Sequence, residues 1–286
     1  MRELELRIDK NLSGKTVKEL LFEKLFLASN LVTKLKSTKG ILVNGECVTV
    51  RRVLEEGDVL KVILEDENSQ NIIPNNIPLD IIYEDEDLLV VNKPCNMPTH
   101  PSFKHYEGTL ANAVMYYFRD ANFTFRAVNR LDRDTTGIVV IAKNRYSAGF
   151  LNKQIMNRDI KKTYIAICCG NLPKENDIID APIKREKESV IKRVVSPDGQ
   201  RAVSEYWVED FKDGFSLVRL MPYTGRTHQL RVHMSYINAP IYGDFIYGKE
   251  IDGERVRLHC LSMEFKRPSD NKSILLEAPK PKDFFI

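Results

Sequence analysis

The middle of the chain reads RAVNRLDRDTTG over residues 126–137 and continues at once into the apolar run IVVIA over residues 138–142. The first segment holds two carboxylates and three arginines, and the second is typical of a strand. A carboxylate among guanidinium groups stays ionised and fixed in direction, because opposite charge favours its charged form and bidentate hydrogen bonds restrict its rotamer. Such a carboxylate could act as a nucleophile or as a base. An ordinary Arg/Asp surface turn before a strand has the same composition, so these residues alone leave both interpretations open.

The length and composition indicate a soluble protein with two domains. A chain of 286 residues can bury a full core, and its size favours two domains over one. No apolar stretch approaches the ~18 residues of a membrane span, and the first residues lack the apolar core of a secretory signal. We therefore expect a cytoplasmic protein without membrane association.

The cysteines and histidines predict neither disulfides nor a metal site. The five cysteines are too few and too irregular for a disulfide framework or paired CxxC metal knuckles, so we expect reduced thiols. His228 and His233 are five residues apart, with His259 and Cys260 downstream. A five-residue spacing does not stack two side chains on one helical face, so we predict no metal ion here.

Basic residues are concentrated near the N-terminus. The net charge of +3 would not by itself indicate nucleic acid, but residues 15–52 contain eight basic side chains against three acidic ones. Apolar spacing predicts two short helices within residues 13–37, interrupted near residues 28–30. A hairpin follows at residues 40–48, because Asn44-Gly45 can adopt the positive φ angles of a two-residue turn. A second strand pair is predicted around Glu56-Gly57-Asp58, ending at residues 60–64.

This N-terminal pattern resembles the small RNA-binding domain named after the S-four ribosomal protein, over residues 3–64. In that family the helices and hairpin present basic side chains to RNA phosphates. The resemblance implies six candidate RNA contacts: Lys15, Lys34, Lys36, Lys39, Arg51 and Arg52. The alternative is a solvated charged face without a ligand.

The rest of the chain predicts a larger second domain. Residues 66–78 are polar and contain prolines, which indicates a linker between domains at 1–65 and 79–286. Beyond it, two strands are predicted within residues 81–93, helices at 109–118 and 145–156, and further strands at 164–169, on both arms of a turn at 196–199, and at 215–221. Short connections between strands favour an α+β fold with a mixed, mainly antiparallel sheet over a doubly wound parallel sheet.

Four separate segments resemble the RluA-type pseudouridine synthases, which modify ribosomal and transfer RNA. They are NKP at 92–94 with HP at 100–101, NRLDRDTTG at 129–137, KTYIA at 162–166 and TGRTHQLRVH at 224–233. The resemblance covers residues 79–286 and implies a pseudouridine synthase-like catalytic domain. It also implies that the chain isomerises uridine to pseudouridine in structured RNA without a cofactor.

The same resemblance implies roles for individual residues. The catalytic aspartate falls on Asp132, the active-site tyrosine on Tyr164, the arginine that pairs with the carboxylate on Arg231, and the apolar wall of the uracil pocket on Leu258. The family commonly has histidine where this chain has Asn129. That departure puts the local backbone arrangement in doubt more than the activity.

The chemistry is consistent with one carboxylate. Isomerisation breaks the bond from the anomeric carbon to a uracil nitrogen and re-forms it to a ring carbon, with no redox change and no water consumed. Glycoside hydrolysis usually needs two carboxylates, but uracil is a tolerable anionic leaving group. Asp132 could attack the anomeric carbon or remove the neighbouring sugar proton, and Arg231 would hold it charged and aimed. The sequence does not choose between these routes.

Neighbouring residues are assigned to substrate binding or to structure. A flipped uridine would stack on Tyr164, whose phenol could assist loss of the ring-carbon proton, while Arg130 fills the space that the base leaves. Further substrate contacts are expected from Arg133, Arg226 and His228. We expect Asp134 to shape the turn by accepting backbone N–H groups.

A second basic group and the domain pattern point to a ribosomal substrate. Phosphate contacts are predicted on a basic hairpin arm that contains Lys184, Arg185, Lys192 and Arg193. Large-subunit ribosomal RNA is the expected substrate, with transfer RNA as the alternative, and the protein is expected to be a monomer. Two competing interpretations are a non-catalytic RNA-binding protein and a hydrolase that releases uracil.

Overall fold

The computed structural model describes residues 2–27, 29–64, 72–102, 106–189 and 191–284. The first part is a four-stranded sheet, ordered β1-β4-β2-β3, that packs against two helices. Its elements are β1 (Arg2–Arg7), α1 (Val17–Glu23), α2 (Ser29–Ser37), β2 (Ile41–Val43), β3 (Glu46–Cys47) and β4 (Val59–Leu64). Alternate residues of β4 are buried, and they meet the buried stripes of both helices in one core.

Local sequence explains most of this module. The side chains of Thr16 and Glu19 form a reciprocal capping box that begins α1. Asn44 and Gly45 have φ angles of 53° and 86°, so the predicted hairpin is present. The predicted strand pair around residues 56–58 is wrong, because β4 pairs with β1 and β2 instead. The carboxylate of Asp58 ties that turn by accepting hydrogen bonds from the Asn44 amide and the backbone of Glu55.

The larger part of the chain forms a nine-stranded sheet with helices and a separate hairpin. Its elements are β5 (Ile81–Glu84), β6 (Leu88–Lys93), α3 (Leu110–Tyr117), β7 (Thr136–Ala142), α4 (Arg145–Asn157), β8 (Lys161–Cys169), β9 (Asn176–Asp180), β10 (Ile183–Arg185), β11 (Arg193–Val195), β12 (Val203–Lys212), β13 (Phe215–Pro222), α5 (Gln229–Tyr236), β14 (Leu258–Lys266) and β15 (Ser273–Glu277). The sheet order is β5-β6-β7-β14-β8-β13-β12-β9, and β15 pairs with β14.

The predicted fold class is confirmed. Every strand pair of the large sheet is antiparallel except β7 with β14, so the sheet is mixed and mainly antiparallel. The helices predicted at 109–118 and 145–156 are α3 and α4, capped by Thr109 and Asn144.

The first part of the predicted linker, residues 66–71, lies outside the described residues, as does residue 28 in the predicted helix break. No helix among the described residues has the length and apolarity needed to cross a membrane.

The strands predicted on both arms of the turn at residues 196–199 are present as β11 and β12. A turn is present there, but its two arms belong to different sheets, because β11 pairs with β10 and β12 pairs with β9 and β13. The chain after β11 folds back over the start of β10, where Ser196 donates to the carbonyl of Pro182 and Gln200 exchanges two hydrogen bonds with Ile183. The basic arm is therefore the β10–β11 hairpin.

The N-terminal module contacts the larger part of the chain through α4. The ring of Phe26 meets Phe150 edge to face at 5.4 Å between centroids, and the ammonium of Lys153 lies 4.7 Å from the Phe26 ring centre. Helix α4, which packs on the large sheet, thus also contacts the small module.

The parallel contact between β7 and β14 depends on Gly137. This residue lies opposite Cys260 and has a φ of +109°, and a Cβ on it would lie 2.2 Å from the Cys260 carbonyl oxygen. Any side chain would push the two backbones apart. The glycine that ends RLDRDTTG therefore allows β14 to dock beside the strand that follows the motif.

We predict that Gly137→Ala destabilises the protein more than Gly170→Ala does. Gly170 also has a positive φ, +87°, but a Cβ there would meet nothing within 4 Å. The control substitution should cost about 1–2 kcal/mol of backbone strain. Gly137→Ala should cost the same strain and a further loss of about 1–3 kcal/mol from overpacking against Cys260. Urea unfolding measures both, and equal losses would show that the β7–β14 contact is not constrained by Gly137.

Candidate active site

Seven of the eight residues predicted to act on substrate line one cavity of about 370 Å³. The cavity is bounded by the loop before β7, the end of α4, strands β8 and β14, and the segment from Pro222 to Arg231. The seven are Arg130, Asp132, Tyr164, Arg226, His228, Arg231 and Leu258. Segments that are far apart in sequence therefore contribute to one concave site.

Asn129 holds the start of the loop that carries Asp132 against strand β7. The buried amide of Asn129 donates to the carbonyl of Ile138 (2.9 Å) and accepts from the backbone N–H of Val140 (2.9 Å). It therefore binds the start of the loop to the side of β7. Asn129, which stands where the family commonly has histidine, therefore has two hydrogen bonds of its own that hold the local backbone.

Two further side chains anchor the loop on either side of Asp132. The hydroxyl of Thr99 donates to the carbonyl of Leu131 (2.8 Å) and accepts from its N–H (3.2 Å). The ammonium of Lys93 donates to the carbonyl of Arg133 (3.1 Å) and to two carbonyls of its own turn, and it is fully buried. Burial lowers the pKa of Lys93 to about 8. The NKP segment thus supports the loop and does not line the cavity.

Arg231 lies between two carboxylates. Its Nε and Nη2 donate to Asp244 Oδ2 and Oδ1, both at 2.7 Å, while its Nη1 reaches Asp132 Oδ2 at 3.5 Å. The side chains of Arg231 and Asp244 are 3% and 0% exposed, but that of Asp132 is 30% exposed. Burial opposes the charge of Arg231, but Asp244 and Asp132 outweigh burial and raise its pKa. The guanidinium is fixed by Asp244 and directed at Asp132.

The TGRTHQLR segment places Arg231 on α5 through Gln229. The side-chain oxygen of Gln229 accepts from the Thr224 hydroxyl and the Arg226 N–H, and its NH₂ group donates to the carbonyl of Val203 and the hydroxyl of Ser204. His228 precedes the helix with a left-handed φ of 57°. The segment thus turns tightly from β13 into α5, and Arg231 enters the cavity from the first turn of that helix.

Tyr164 and Leu258 form an apolar part of the cavity wall. Tyr164 is on β8, opposite Cys260 of β14, and Leu258 is two residues before Cys260. Burial raises the pKa of Tyr164 well above its ordinary value. The phenol is therefore neutral at physiological pH, so it can stack with a base or donate a hydrogen bond, but it is a poor proton acceptor.

Comparisons with known proteins agree with this site. The sequence profile described as RNA pseudouridylate synthase matches residues 87–236, and that of the RluD ribosomal pseudouridine synthase N-terminal domain matches residues 4–60. The chain is 40% identical over 275 residues to the uncharacterized RNA pseudouridine synthase YjbO of Bacillus subtilis (strain 168), which spans 94% of this chain and 96% of that protein. The chain belongs to the RNA pseudouridine synthase family.

Other proteins are similar to the synthase over most of its length. It is 34% identical over 295 residues to ribosomal large subunit pseudouridine synthase D of Borreliella burgdorferi, covering 98% of this chain and 88% of that protein. Among solved structures, human RNA pseudouridylate synthase domain containing 1 superposes with a TM-score of 0.61 at 28% identity, over 72% of this chain and 85% of the human chain. Fold class, family and enzyme class are thus confirmed.

Arg133 and Asp134 pair with each other, which contradicts the turn-shaping role expected for Asp134 and leaves the substrate contact of Arg133 a prediction. Arg133 does not line the cavity; its guanidinium is paired with Asp134, Nε to Oδ1 at 3.0 Å and Nη2 to Oδ2 at 3.1 Å. Among the described residues, the Asp134 carboxylate receives only that guanidinium and no backbone N–H, so its turn-shaping role is not found. The Lys93 and Thr99 anchors hold the turn instead, which leaves this pair at the surface.

Three residues of the synthase site were missed by sequence reasoning. Asp244 follows a glycine in an unremarkable turn, and only the fold brings it to Arg231. Lys162 lines the cavity, and burial lowers its pKa; its position two residues before Tyr164 on a strand could have indicated the same face. Tyr247 lies against His228, Nδ1 to hydroxyl oxygen at 2.7 Å, and nothing local in sequence predicts that contact.

His233 and His259 make hydrogen bonds within the fold and do not line the cavity. His233 contacts the Ser204 hydroxyl and the Ala181 carbonyl, and His259 contacts the Thr136 hydroxyl at 2.8 Å. The described parts of the chain bring no three His, Cys, Asp or Glu side chains together in a way that could hold a metal ion. The cysteines Cys47, Cys95, Cys168, Cys169 and Cys260 are all free thiols.

The predicted RNA contacts of the N-terminal module lie at the surface. Lys36, Lys39, Arg51 and Arg52 are exposed, and Lys15 and Lys34 are half-buried. Lys15 is paired with Glu23 at 2.5 Å, and Arg52 lies 4.0 Å from Asp58. The Lys15–Glu23 pair is at the surface, where such pairs contribute little to stability, so exchanging the Glu23 carboxylate for a phosphate would cost little.

The β10–β11 hairpin carries the second predicted group. Lys184 is paired with Asp198 at 2.7 Å, Lys192 lies 3.7 Å from Glu186, and Arg185 is exposed. Arg226 is joined to the nearby segment, since it donates to the carbonyl of Arg201 and to the side chain of Gln200. The basic hairpin and the cavity are therefore neighbours.

We predict that replacing each of the two aspartates that share Arg231 affects stability unequally. Asp244→Asn leaves a buried guanidinium without its bidentate partner and should cost about 3–5 kcal/mol of unfolding free energy. Asp132→Asn, at a longer distance and partly exposed, should change it by less than about 1 kcal/mol. Urea unfolding of both variants measures this difference. Equal destabilisation would mean that Arg231 is held as much by Asp132 as by Asp244.

Proposed function

We propose that this synthase isomerises specific uridines of large-subunit ribosomal RNA with Asp132 as its catalytic carboxylate. The observation that carries this proposal is that Asp132 is the only carboxylate among the described residues that line the cavity. Hydrolysis of a glycosidic bond normally uses two carboxylates. A site with one carboxylate and several cations suits a reaction in which the base leaves as an anion and returns through another atom.

The steps of the reaction can be assigned to residues of the cavity. The bond between the anomeric carbon and uracil N1 breaks, and the electron pair leaves with uracil. Asp132 either forms a bond to the anomeric carbon or takes the proton from the neighbouring sugar carbon. The ring then turns and C5 bonds to the anomeric carbon; in the first route this breaks the bond to Asp132 and frees the carboxylate, and in the second Asp132 returns its proton to the sugar carbon. Loss of the C5 proton and protonation of N1 complete the isomerisation. Arg231 and Lys162 supply positive charge for the uracil anion while it is detached.

The apolar wall of the cavity fits a single flipped base. Tyr164 offers a ring face for stacking, and Leu258 is an apolar neighbour on the adjacent strand. The detached uracil would be held between such surfaces while it turns. Arg130 lines the cavity and is exposed, so it is placed at the opening, where it can fill the gap that the base leaves in the RNA.

Two kinds of observation support ribosomal RNA as the proposed substrate: the names of relatives and the positions of basic side chains. Relatives of similar length are named for the large ribosomal subunit, including the Borreliella burgdorferi protein and one from Pasteurella multocida that is 35% identical over 85% of this chain. The N-terminal module resembles an RNA-binding domain, and its basic residues together with the β10–β11 hairpin provide two separate groups for phosphate contacts. We propose that the enzyme acts as a monomer, with transfer RNA as the alternative substrate.

We predict that Asp132→Asn abolishes pseudouridine formation, with a loss of at least about 10³-fold in rate, because the amide can neither attack nor accept a proton. The matched control Asp134→Asn has the same chemical change two residues away, outside the cavity, and should retain most of the activity. Pseudouridine is measured in large-subunit ribosomal RNA transcripts and in transfer RNA transcripts.

The products separate the competing functions. Pseudouridine in the ribosomal transcript, absent with Asp132→Asn, supports the proposal. Free uracil would indicate a hydrolase, tight binding without either product would indicate a non-catalytic RNA-binding protein, and modification of transfer RNA alone would overturn the ribosomal assignment. Equal rates for Asp132→Asn and the unmodified enzyme would overturn the catalytic assignment.

A further inference from the structure

A chain of hydrogen-bonding groups runs from the basic β10–β11 hairpin into the cavity. The backbone N–H of Arg193 on β11 donates to the hydroxyl oxygen of Tyr247 at 2.9 Å. The same oxygen lies 2.7 Å from Nδ1 of His228, whose Nε2 lies 3.8 Å from Oδ2 of Asp132. Three residues thus connect a candidate RNA-binding hairpin to the catalytic carboxylate.

The direction of the hydrogen bonds follows from the first donor. Because a fixed backbone N–H occupies the Tyr247 oxygen, the hydroxyl hydrogen is available for His228, and Nδ1 is the acceptor. Neutral imidazole then carries its hydrogen on Nε2, the atom that faces Asp132. The opposite tautomer would direct an imidazole lone pair at the carboxylate, which is repulsive. Burial lowers the pKa of His228, against the opposing effect of Asp132, and raises that of Tyr247 to about 12, so both groups are neutral near pH 7.

Tyr247 is held in place by the group that holds Arg231. Asp244 Oδ1 accepts from the backbone N–H of Tyr247 at 3.1 Å, and the Ser235 hydroxyl on α5 donates to the Tyr247 carbonyl at 2.7 Å. The guanidinium of Arg231 lies 5.3 Å from the Tyr247 ring centre. The orientation of Tyr247 is therefore set jointly by α5 and by the buried ion pair.

The two groups that approach Asp132 meet the same oxygen. Arg231 Nη1 lies 3.5 Å and His228 Nε2 lies 3.8 Å from Oδ2. Oδ1 has no hydrogen-bond partner within the described parts of the chain. Restraining Oδ2 from two directions fixes the rotation of the carboxyl group and leaves Oδ1 available to the sugar.

We propose that Tyr247 is a positioning residue of the synthase, which holds His228 with its Nε2 hydrogen toward Asp132 and thereby makes Oδ1 the reacting oxygen. The proposal rests on the catalytic role of Asp132 proposed above. In this proposal the β10–β11 hairpin does more than bind RNA. Its β11 backbone also sets the position of the Tyr247 hydroxyl. RNA that seats on the hairpin would then steady the carboxylate.

The test is Tyr247→Phe, which keeps the ring and removes only the hydroxyl. The single-turnover rate on saturating RNA should fall about 10- to 100-fold, as for other groups that orient a reacting side chain, while the Kd for RNA changes less than twofold. Tyr242→Phe is the matched control, because that ring packs against Phe215 with the apolar cluster of Ile165 and Ile167. It should leave both quantities unchanged.

Two further measurements make the proposal falsifiable. In the full-length protein labelled with ¹⁵N-histidine, His228 should show the Nε2–H tautomer, and Tyr247→Phe should shift it toward a mixture. In the His228→Gln background, Tyr247→Phe should have no additional effect on rate, because the group it orients is gone. An unchanged rate, an unchanged tautomer, additive losses, or a loss confined to Kd would each overturn the proposal.

These results remain distinct from a failure of the proposed function. The tautomer is observed without RNA and without turnover, so it tests the hydrogen-bond chain even if Asp132 were not catalytic. Full activity of Asp132→Asn would overturn the proposed function and, with it, the claim for Oδ1. An Nδ1–H tautomer in the unmodified protein would overturn the positioning role alone.

Discussion

The buried guanidinium of Arg231 between Asp244 and Asp132 is the constraint on which the active site depends. A buried ion must be paired, because its desolvation costs several kcal/mol. Asp244 meets that requirement with two hydrogen bonds of 2.7 Å, which leaves the third nitrogen directed at Asp132. The structural pair and the contact with the proposed catalytic carboxylate are thus made by different edges of one planar group. This division lets Arg231 hold the direction of the Asp132 carboxylate while that side chain stays 30% exposed.

The rest of the architecture brings these charges together and prevents them from moving. Asn129, Thr99 and Lys93 bind the loop of Asp132 from three directions, and each uses a buried polar group on a different segment. Gly137 lets β14 approach β7 closely, which brings Leu258 to the wall next to Tyr164. Gln229 fixes the entry into α5, and so the origin of Arg231. The cavity is therefore built from strands and a helix, with hydrogen bonds that restrict the loop of Asp132.

Much of this could be predicted from sequence where local pattern and chemistry coincide. Asp132, Tyr164, Arg231 and Leu258 were selected through a family resemblance, and they line one cavity because the segments that carry them are themselves strands, a helix start and a loop. Asp244 and Tyr247 could not be found in this way, since their partners are 13 and 19 residues distant and only the fold closes those gaps. Arg133 was assigned to the substrate because of its place in the motif, but the carbonyls of its loop, not its side chain, face the interior. The strand pairing predicted near residues 56–58 failed because a turn signal does not specify which strands are partners.

The central claim is that Asp132, aimed by Arg231, meets the sugar of a flipped nucleotide inside this cavity. A crystal structure of the enzyme with an RNA that already carries pseudouridine at its target position tests this most directly, because the product binds without further reaction. We expect the base between Tyr164 and Leu258, with Asp132 Oδ1 within about 3.5 Å of the anomeric carbon or its neighbour and Oδ2 still facing Arg231. A base seated outside the cavity, or a carboxylate turned away from the sugar, would contradict it.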